Sequence, residues 1–475
     1  MLKVKYLWAL LVLPLIWLLL LVAVSIPAVG HARSYLKVVK SDYSAESAIA
    51  SANSLNNDIT RVFSIINLPV SKQISSIFGL NFSDIKNEIT AAVSAGPILA
   101  GTDKPRKYLI SFQNSAEARG TGGILGAFAI IELNKSSFSV VRTGSNAIFY
   151  WLKDVPVKVP AEFTKLYGKN PAIFQNSNLS PHFPFGAEIW MGIWKAQFDE
   201  QLDGVIAVDP SALSYVLKAT GPITLESGEV ISSENVVSET LQKAYKRFEK
   251  DNNARKQYLV DILDAAASKI TSGQYSKIEM VRAIKQGLIE NRILMYSRDT
   301  PAEKELATIR LGGYLDKAPN NEFRAVIQNI DASKLDYYLD RDVVIESKSC
   351  DKVAQTQVRV RVTNTLKSGK GLPAYVLTRA DKGKPTDLVT GAHRFKLFIY
   401  GPTNSVLVSV SRENRTEKLG GASTERGRPI YVSDIDLAPG ESEELLANFA
   451  GGVGKITFVD QPLVRPTSLT IKGGC

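Results

Sequence analysis

Histidine and cysteine are the scarcest chemically versatile residues in this 475-residue chain, with three of the first and two of the second. His31, His182 and His393 lie far apart. None has the short spacing of a zinc ligand set, and a histidine-centred triad is not indicated. No metal-binding residue is expected on that count. Cys350 and Cys475 sit in no redox or nucleophile motif. Acidic residues also fall short of basic ones, 47 against 57, which leaves a net charge of +10 and a pI near 9.2. A surplus of that sign favours anionic partners such as lipid headgroups or wall polymers. Zinc spacings, basic helices and RNA-binding aromatic motifs are missing, so nucleic acid is not an expected partner.

What is present is globular: 45% apolar and 22% charged residues. The length calls for two or three folded units. Residues 1–5 read as a short cytoplasmic tail, and 6–26 as an uncharged apolar run long enough to cross a bilayer. A cleaved signal with a small-residue site at Ala28-Val29-Gly30 is the rival reading. The run exceeds the usual signal core, which favours a single-pass anchor with an extracytoplasmic body at the cell membrane. Residues 27–104 carry helical spacing, with Ala52, Leu55, Ile59, Val62 and Ile66 among the recurring apolar positions, and read as a stalk.

Residues 105–345 form the expected α/β ligand-binding domain. Its central feature is the loop after the strand ending near Phe112, where Asn114, Glu117, Arg119, Gly120, Thr121, Gly122 and Gly123 lead into a second apolar run. Glycines there permit positive φ and close backbone approach, so N–H groups could converge on an anion beside Arg119. The plain alternative is a hairpin that only turns the chain. Asn146 to Pro184 reads as a long irregular excursion of the kind that often carries function. Ala187 to Leu202 is helical, Asp203 to Pro210 a short buried strand, and Ser211 the expected cap of the next helix. Two helices follow, joined at Asp251-Asn252-Asn253, where an Asn can cap the second. That second helix opens on Arg255, Lys256 and Gln257. Its cations oppose the helix dipole unless an anion sits between them and the free N–H groups. Glu290 to Asp299 reads as a buried strand. Residues 346–475 alternate with period two between Gly/Pro turns, which suggests a β-sandwich. In an oxidising compartment Cys350 and Cys475 could staple its first and last strands, or both could stay as thiols.

These stretches resemble a bacterial membrane family catalogued as domain of unknown function 4012. The resemblance rests on Tyr108 to Gly123, Asp203 to Pro210, Ala219 to Ile223, Glu290 to Asp299 and Asn329 to Tyr338. A remoter resemblance is to LytR–CpsA–Psr proteins, carried by Asp203 to Asp209, Ala219 to Thr224, Tyr245 to Phe248 and Ala254 to Gln257. Those enzymes transfer glycopolymers from polyprenyl-pyrophosphate carriers, with arginines around the pyrophosphate and Mg²⁺. The resemblance implies an anion clamp of Arg119, Arg247 and Arg255, helped by Lys256. It departs at Asn114, where those enzymes carry an acidic residue.

The expected function is therefore a membrane-anchored cell-envelope protein that binds a pyrophosphate or polyprenyl-phosphate group in glycopolymer attachment or assembly. The alternatives are a Mg²⁺-dependent phosphotransferase and a non-catalytic scaffold or adhesive protein acting through the β-sandwich. No cofactor is expected unless the chain is catalytic. The partners are the membrane and an anionic lipid-linked or wall polymer.

Overall fold

The computed structural model describes residues 32, 34, 45–66, 82–134, 137–317, 321–349, 354–377, 389–412, 415–417, 421–452 and 454–473. The expected anchor at 6–26 and both cysteines lie outside the described residues, and no described helix is long and apolar enough to cross a membrane. The chain divides into two compact units. One gathers 1–107, 131–139 and 297–312; the other holds 108–130, 140–296 and 313–475.

In the first unit, α1 (Ala45–Ile66) and α2 (Phe82–Leu99) pack through the apolar positions set by helical spacing. Ala52, Leu55 and Ile59 bury against Val93, and the Asn56 amide donates to Ser94 Oγ at 2.6 Å. Arg106 is buried between Asp103 at 2.7 Å and Asp299 at 3.2 Å. Asp299 also accepts from the Ala302 N–H, which caps the short helix Thr300–Leu306.

The second unit is a mixed α/β body. Most of one sheet lies in it: strands β1 (Arg106–Arg119), β2 (Gly122–Asn134), β3 (Ser137–Ser145) and β4 (Gly204–Val208) join β7 (Leu294–Ser297) in the order β3-β2-β1-β4-β7, while β5 (Ile223–Thr224) and β6 (Val230–Ile231) form a separate ribbon. β1 and β4 run parallel, with Tyr108 opposite Gly204 and Phe112 opposite Val208. Helices cover both faces, so strand residues bury in either direction. After α3 (Ala161–Tyr167), helix α4 (Phe183–Phe198) packs Ala187, Trp190 and Trp194 against Leu109, Leu125 and Val205. Helices α5 (Pro210–Thr220) and α6 (Asn252–Thr271) place Leu213, Leu217 and Ile262 in the cluster holding Phe112 and Ala127. A further helix, α7 (Lys277–Ile289), packs on α5.

The expected capping residues are displaced. Asp209, not Ser211, caps α5 by accepting from the Ala212 N–H at 2.7 Å. Its second oxygen takes the Arg292 guanidinium at 2.6 Å, a residue from the stretch read as continuous strand. The strand itself begins only at Leu294. Asp251, not an Asn, caps α6 through the Ala254 N–H at 2.9 Å.

The stretch 146–184 is not a free excursion. Phe163, Tyr167, Phe174 and Leu179 are buried and meet Val326, Phe398, Tyr400 and Ile430 in one core. Its aromatics are packing residues. Beneath them Glu425 is fully buried and accepts from Ser180 Oγ at 2.6 Å, Tyr400 Oη at 2.7 Å and Tyr167 Oη at 3.0 Å. Burial pushes that carboxyl up, and the three hydroxyls offset only part of the effect.

The remaining strands are β8 (Glu322–Asn329), β9 (Leu339–Ser349), β10 (Gln355–Asn364), β11 (His393–Tyr400), β12 (Ser405–Arg412), β13 (Arg415–Glu417), β14 (Ala422–Glu425), β15 (Arg428–Leu437), β16 (Ser442–Gly451), β17 (Thr457–Phe458) and β18 (Ser468–Lys472). They make two sheets, β13-β12-β16-β10-β9-β18 and β14-β15-β11-β8-β17. Period-two patterning governs β10, where Val358, Val360 and Val362 are buried and Arg359 and Arg361 are exposed. Those valines share one cluster with Ile327, Val343, Leu397, Ile435 and Phe449 from both sheets. The boundary expected at 345/346 falls inside β9, because the sheets already begin at Glu322.

Candidate functional site

The glycine loop is a sealed hairpin turn. Gly120 and Thr121 alone connect β1 to β2, a connection short enough only for antiparallel neighbours. A Cβ on Gly120 would overlap the Leu179 carbonyl, and one on Gly123 the Asn114 carbonyl. These glycines answer to close packing of the protein on itself, not to a phosphate. Gln113 Oε1 accepts from Thr121 Oγ1 at 2.9 Å, Asn178 Nδ2 at 2.9 Å and the Gly123 N–H at 3.3 Å. Asn178 also donates to Thr121 Oγ1 and to the Gly123 carbonyl. Gly120, Thr121, Gly122 and Gly123 are all buried. The Gly123 N–H of the expected cradle is taken from within.

Arg119 is likewise used internally. Its guanidinium donates to the carbonyls of Gln175 at 2.9 Å, Ala118 at 2.8 Å and Asn329 at 3.1 Å, and to Asn176 Oδ1 at 3.2 Å. Glu117 Oε1 is 3.4 Å away. Arg119 therefore ties the hairpin to two other segments instead of facing an opening. Arg247 does not join it either. It is held by Glu229 at 2.6 Å and Glu239 at 3.0 Å and lies over the Tyr258 ring.

Asn114, Glu117 and Arg255 do converge, around two cations and two tyrosines. Lys334 is buried and donates to Glu117 Oε2 at 2.7 Å and to the Ala332 carbonyl at 2.8 Å. Its ammonium lies 4.6 Å from the Tyr375 ring centroid, and the Arg255 guanidinium 4.5 Å from that of Tyr245. The two rings are 5.9 Å apart. Asn114 donates to Tyr245 Oη at 2.6 Å. Burial works against the Lys334 charge, but Glu117 and the tyrosines outweigh it and raise the ammonium's pKa. Burial dominates at Tyr245 and raises its phenol, although Arg255 and Lys334 pull the other way.

Arg255 is buried, yet its described partners are neutral: Asn252 Oδ1 accepts from Nε at 3.1 Å and from Nη2 at 2.7 Å. The Asn expected to cap the helix instead folds the guanidinium back over the first turn. Lys256 is half-buried with no carboxylate beside it among the described residues. Its burial, and then the charge of Arg255, lower its pKa. Gln257 turns to Asp261 on its own helix at 2.8 Å.

Beside this cluster lies a cavity of about 270 Å³, lined by Leu241, Lys243, Lys246, Lys334, Tyr338 and Pro373 among others. One wall is a π-helical turn, Glu239–Lys243, between helical pieces at 236–238 and 244–247. Such turns disturb the regular ladder and occur often at functional sites. Gln242 in that turn donates to Tyr338 Oη at 3.1 Å, and Lys243 is 3.0 Å from Glu239. Lys334 joins cavity and cluster. Neither it nor Tyr375 was singled out from sequence, although Lys334 is the lone cation of the stretch Asn329 to Tyr338.

The donor set does not fit Mg²⁺. Both Glu117 oxygens are engaged by cations, and the Asn114 Oδ1 accepts from the Ala116 N–H at 3.1 Å. Mg²⁺ asks for carboxylate oxygens free to complete an octahedron. Among the described residues no group of three or more His, Cys, Asp or Glu converges as metal ligands.

Residues 103–245 match the family model described as protein of unknown function, DUF4012. No curated protein matches the chain. Among solved structures, the transcriptional regulator yvhJ from Bacillus subtilis is 14% identical, over 43% of this chain and 76% of its own, with a TM-score of 0.24. Protein gbs0355 from Streptococcus agalactiae is 14% identical, over 45% and 76%, with a TM-score of 0.27. TagV of B. subtilis is 14% identical, over 45% and 82%, with a TM-score of 0.24. The family match is the one expected from the quoted motifs, and the likeness to the solved proteins is remote.

Proposed function

We propose that this is an extracytoplasmic cell-envelope protein, anchored by its apolar N-terminal run, that binds an anionic lipid-linked group of the polyprenyl-phosphate kind. The observation that carries the reading is the cavity with lysines 243, 246 and 334 on its wall and Leu241, Leu372, Pro373 and Val376 beside them. An amphiphile with a phosphate head suits such a wall, because cations take the head and the apolar side chains take the first carbons of the chain. Arg255 and Lys256 add positive charge with no described carboxylate to cancel it. The C-terminal sheets act in this reading as a β-sandwich support, the segment 371–376 between β10 and β11, which runs into the helical turn Ala374–Leu377, closing one side of the cavity. The non-catalytic form is favoured, since Asn114, Glu117 and Arg119 are all committed to internal bonds.

The test is calorimetric titration of the full chain in detergent with farnesyl phosphate, farnesol and inorganic phosphate. Farnesyl phosphate is expected to bind best. A Lys243→Met, Lys246→Met double variant should weaken it at least about tenfold, the scale of one or two charge-assisted contacts. Unchanged affinity in that variant rejects the reading. Measured glycopolymer transfer with Mg²⁺ would replace it by the catalytic alternative.

A further inference from the structure

Helix α7 has two unlike faces. The helix packs on α5, and Ala283 and Gly287 are buried, with no room for a Cβ on Gly287 beside the Ile293 side chain. The other side leaves Ile278 at 68%, Val281 at 65%, Ile289 at 52% and Ile284 at 43% exposed. Four branched aliphatics on one 13-residue helix form a stripe that water does not stabilise.

The charges around the stripe indicate what covers it. Lys277, Arg282 and Lys285 are all exposed between the aliphatics, and a single acid, Glu279, pairs with Arg282 at 2.5 Å. No carboxylate pairs with Lys277 or Lys285 among the described residues. Two copies of this face brought together would set cation against cation, which penalises self-association. An anionic bilayer satisfies both features at once: the acyl boundary receives the aliphatics and the headgroups receive the lysines. We propose that α7 lies in the plane of an anionic membrane surface and seats the second unit on it. This docking is independent of the cavity and its ligand.

The test uses the full chain carrying Val281→Trp, reconstituted into vesicles whose acyl chains are brominated. One set is phosphatidylcholine alone and the other contains phosphatidylglycerol. Position 281 is exposed, so the indole enters without disturbing the core. The expected result is loss of the added emission, taken as the difference from the chain with its native tryptophans, in phosphatidylglycerol vesicles. Ile278→Ser and Ile284→Ser added to Val281→Trp should restore it. Undiminished emission in those vesicles overturns the proposal, as does equal quenching in phosphatidylcholine alone. Light scattering that shows a dimer lost on Ile278→Ser also overturns it, because the stripe is then an interface between copies.

Discussion

Replacing Lys334 by Met removes the cation that, among the described residues, touches both the cavity and the buried Glu117. Glu117 would keep only Arg119, at 3.4 Å, and both carboxylate and lysine are nearly inaccessible to water. Breaking a buried pair from one side costs about 3–5 kcal/mol, since the abandoned charge stays desolvated. Glu117→Gln should cost a similar amount, by leaving the Lys334 ammonium with the Ala332 carbonyl and two rings. The double variant Lys334→Met, Glu117→Gln leaves neither charge stranded, because Arg119 retains three carbonyls and Asn176. Its loss should fall below the sum of the single losses by at least about 2 kcal/mol. Urea unfolding followed by tryptophan emission gives the three differences from shifts of midpoint at constant slope. Additive losses, or single variants within about 0.5 kcal/mol of the parent, the range of ordinary surface changes, would refute the assignment of Lys334 and Glu117 as one coupled pair.

His182 sets a pH dependence. Burial, then the Arg426 charge, lowers its pKa to about 3, while its Nδ1 accepts from the Leu315 N–H at 3.1 Å. The unfolded chain protonates near 6.5, so the stability is complete above that pH and falls as pH drops toward 3. By pH 5 about 2 kcal/mol should be gone, and His182→Asn should flatten the curve between pH 7 and 4; a parent already flat there contradicts it. Gly123→Ala forces a methyl group into the Asn114 carbonyl and should abolish the cooperative thermal transition, whereas a near-parental melting temperature would show that the hairpin can yield. Asp251→Ala should cost about 1 kcal/mol by uncapping α6. Asn252→Ala should cost about 1–3 kcal/mol, because the buried Arg255 guanidinium loses the acceptor of two hydrogen bonds, and should alter farnesyl phosphate affinity; a titration identical to the parent's would deny Arg255 a part in binding.

Periodicity and local chemistry made much of the frame readable. The buried strand at 204–208, the helix after it, and the alternation of β10 each follow from side chains a few residues apart. The mistakes share one origin. Arg119 has the sequence setting of an anion ligand, but its acceptors come from Gln175, Asn176 and Asn329, which no local pattern connects to it. The glycine turn gives its Gly123 N–H to Gln113 and its Gly123 carbonyl to Asn178 for the same reason. Short-range rules even misled at the caps, where Ser211 and the Asn pair were reasonable and an Asp one or two residues earlier prevailed. The cation–tyrosine cluster needed Tyr245, Lys334 and Tyr375 from three distant segments, so only the fold could assemble it.

The parallel strands β17 and β18 bear on the order in which the chain is made. β18 pairs with β9, Ser468 opposite Asp342, and β17 with β8, Thr457 opposite Glu322. At the usual pace of synthesis the later partners emerge on the order of ten seconds after the earlier ones. During that interval β8 and β9 each wait with an unsatisfied edge, the kind of template that recruits a wrong strand. A ribosome-stalled chain should therefore bind holdase chaperones until about residue 472 is available, and release them when the last strand docks.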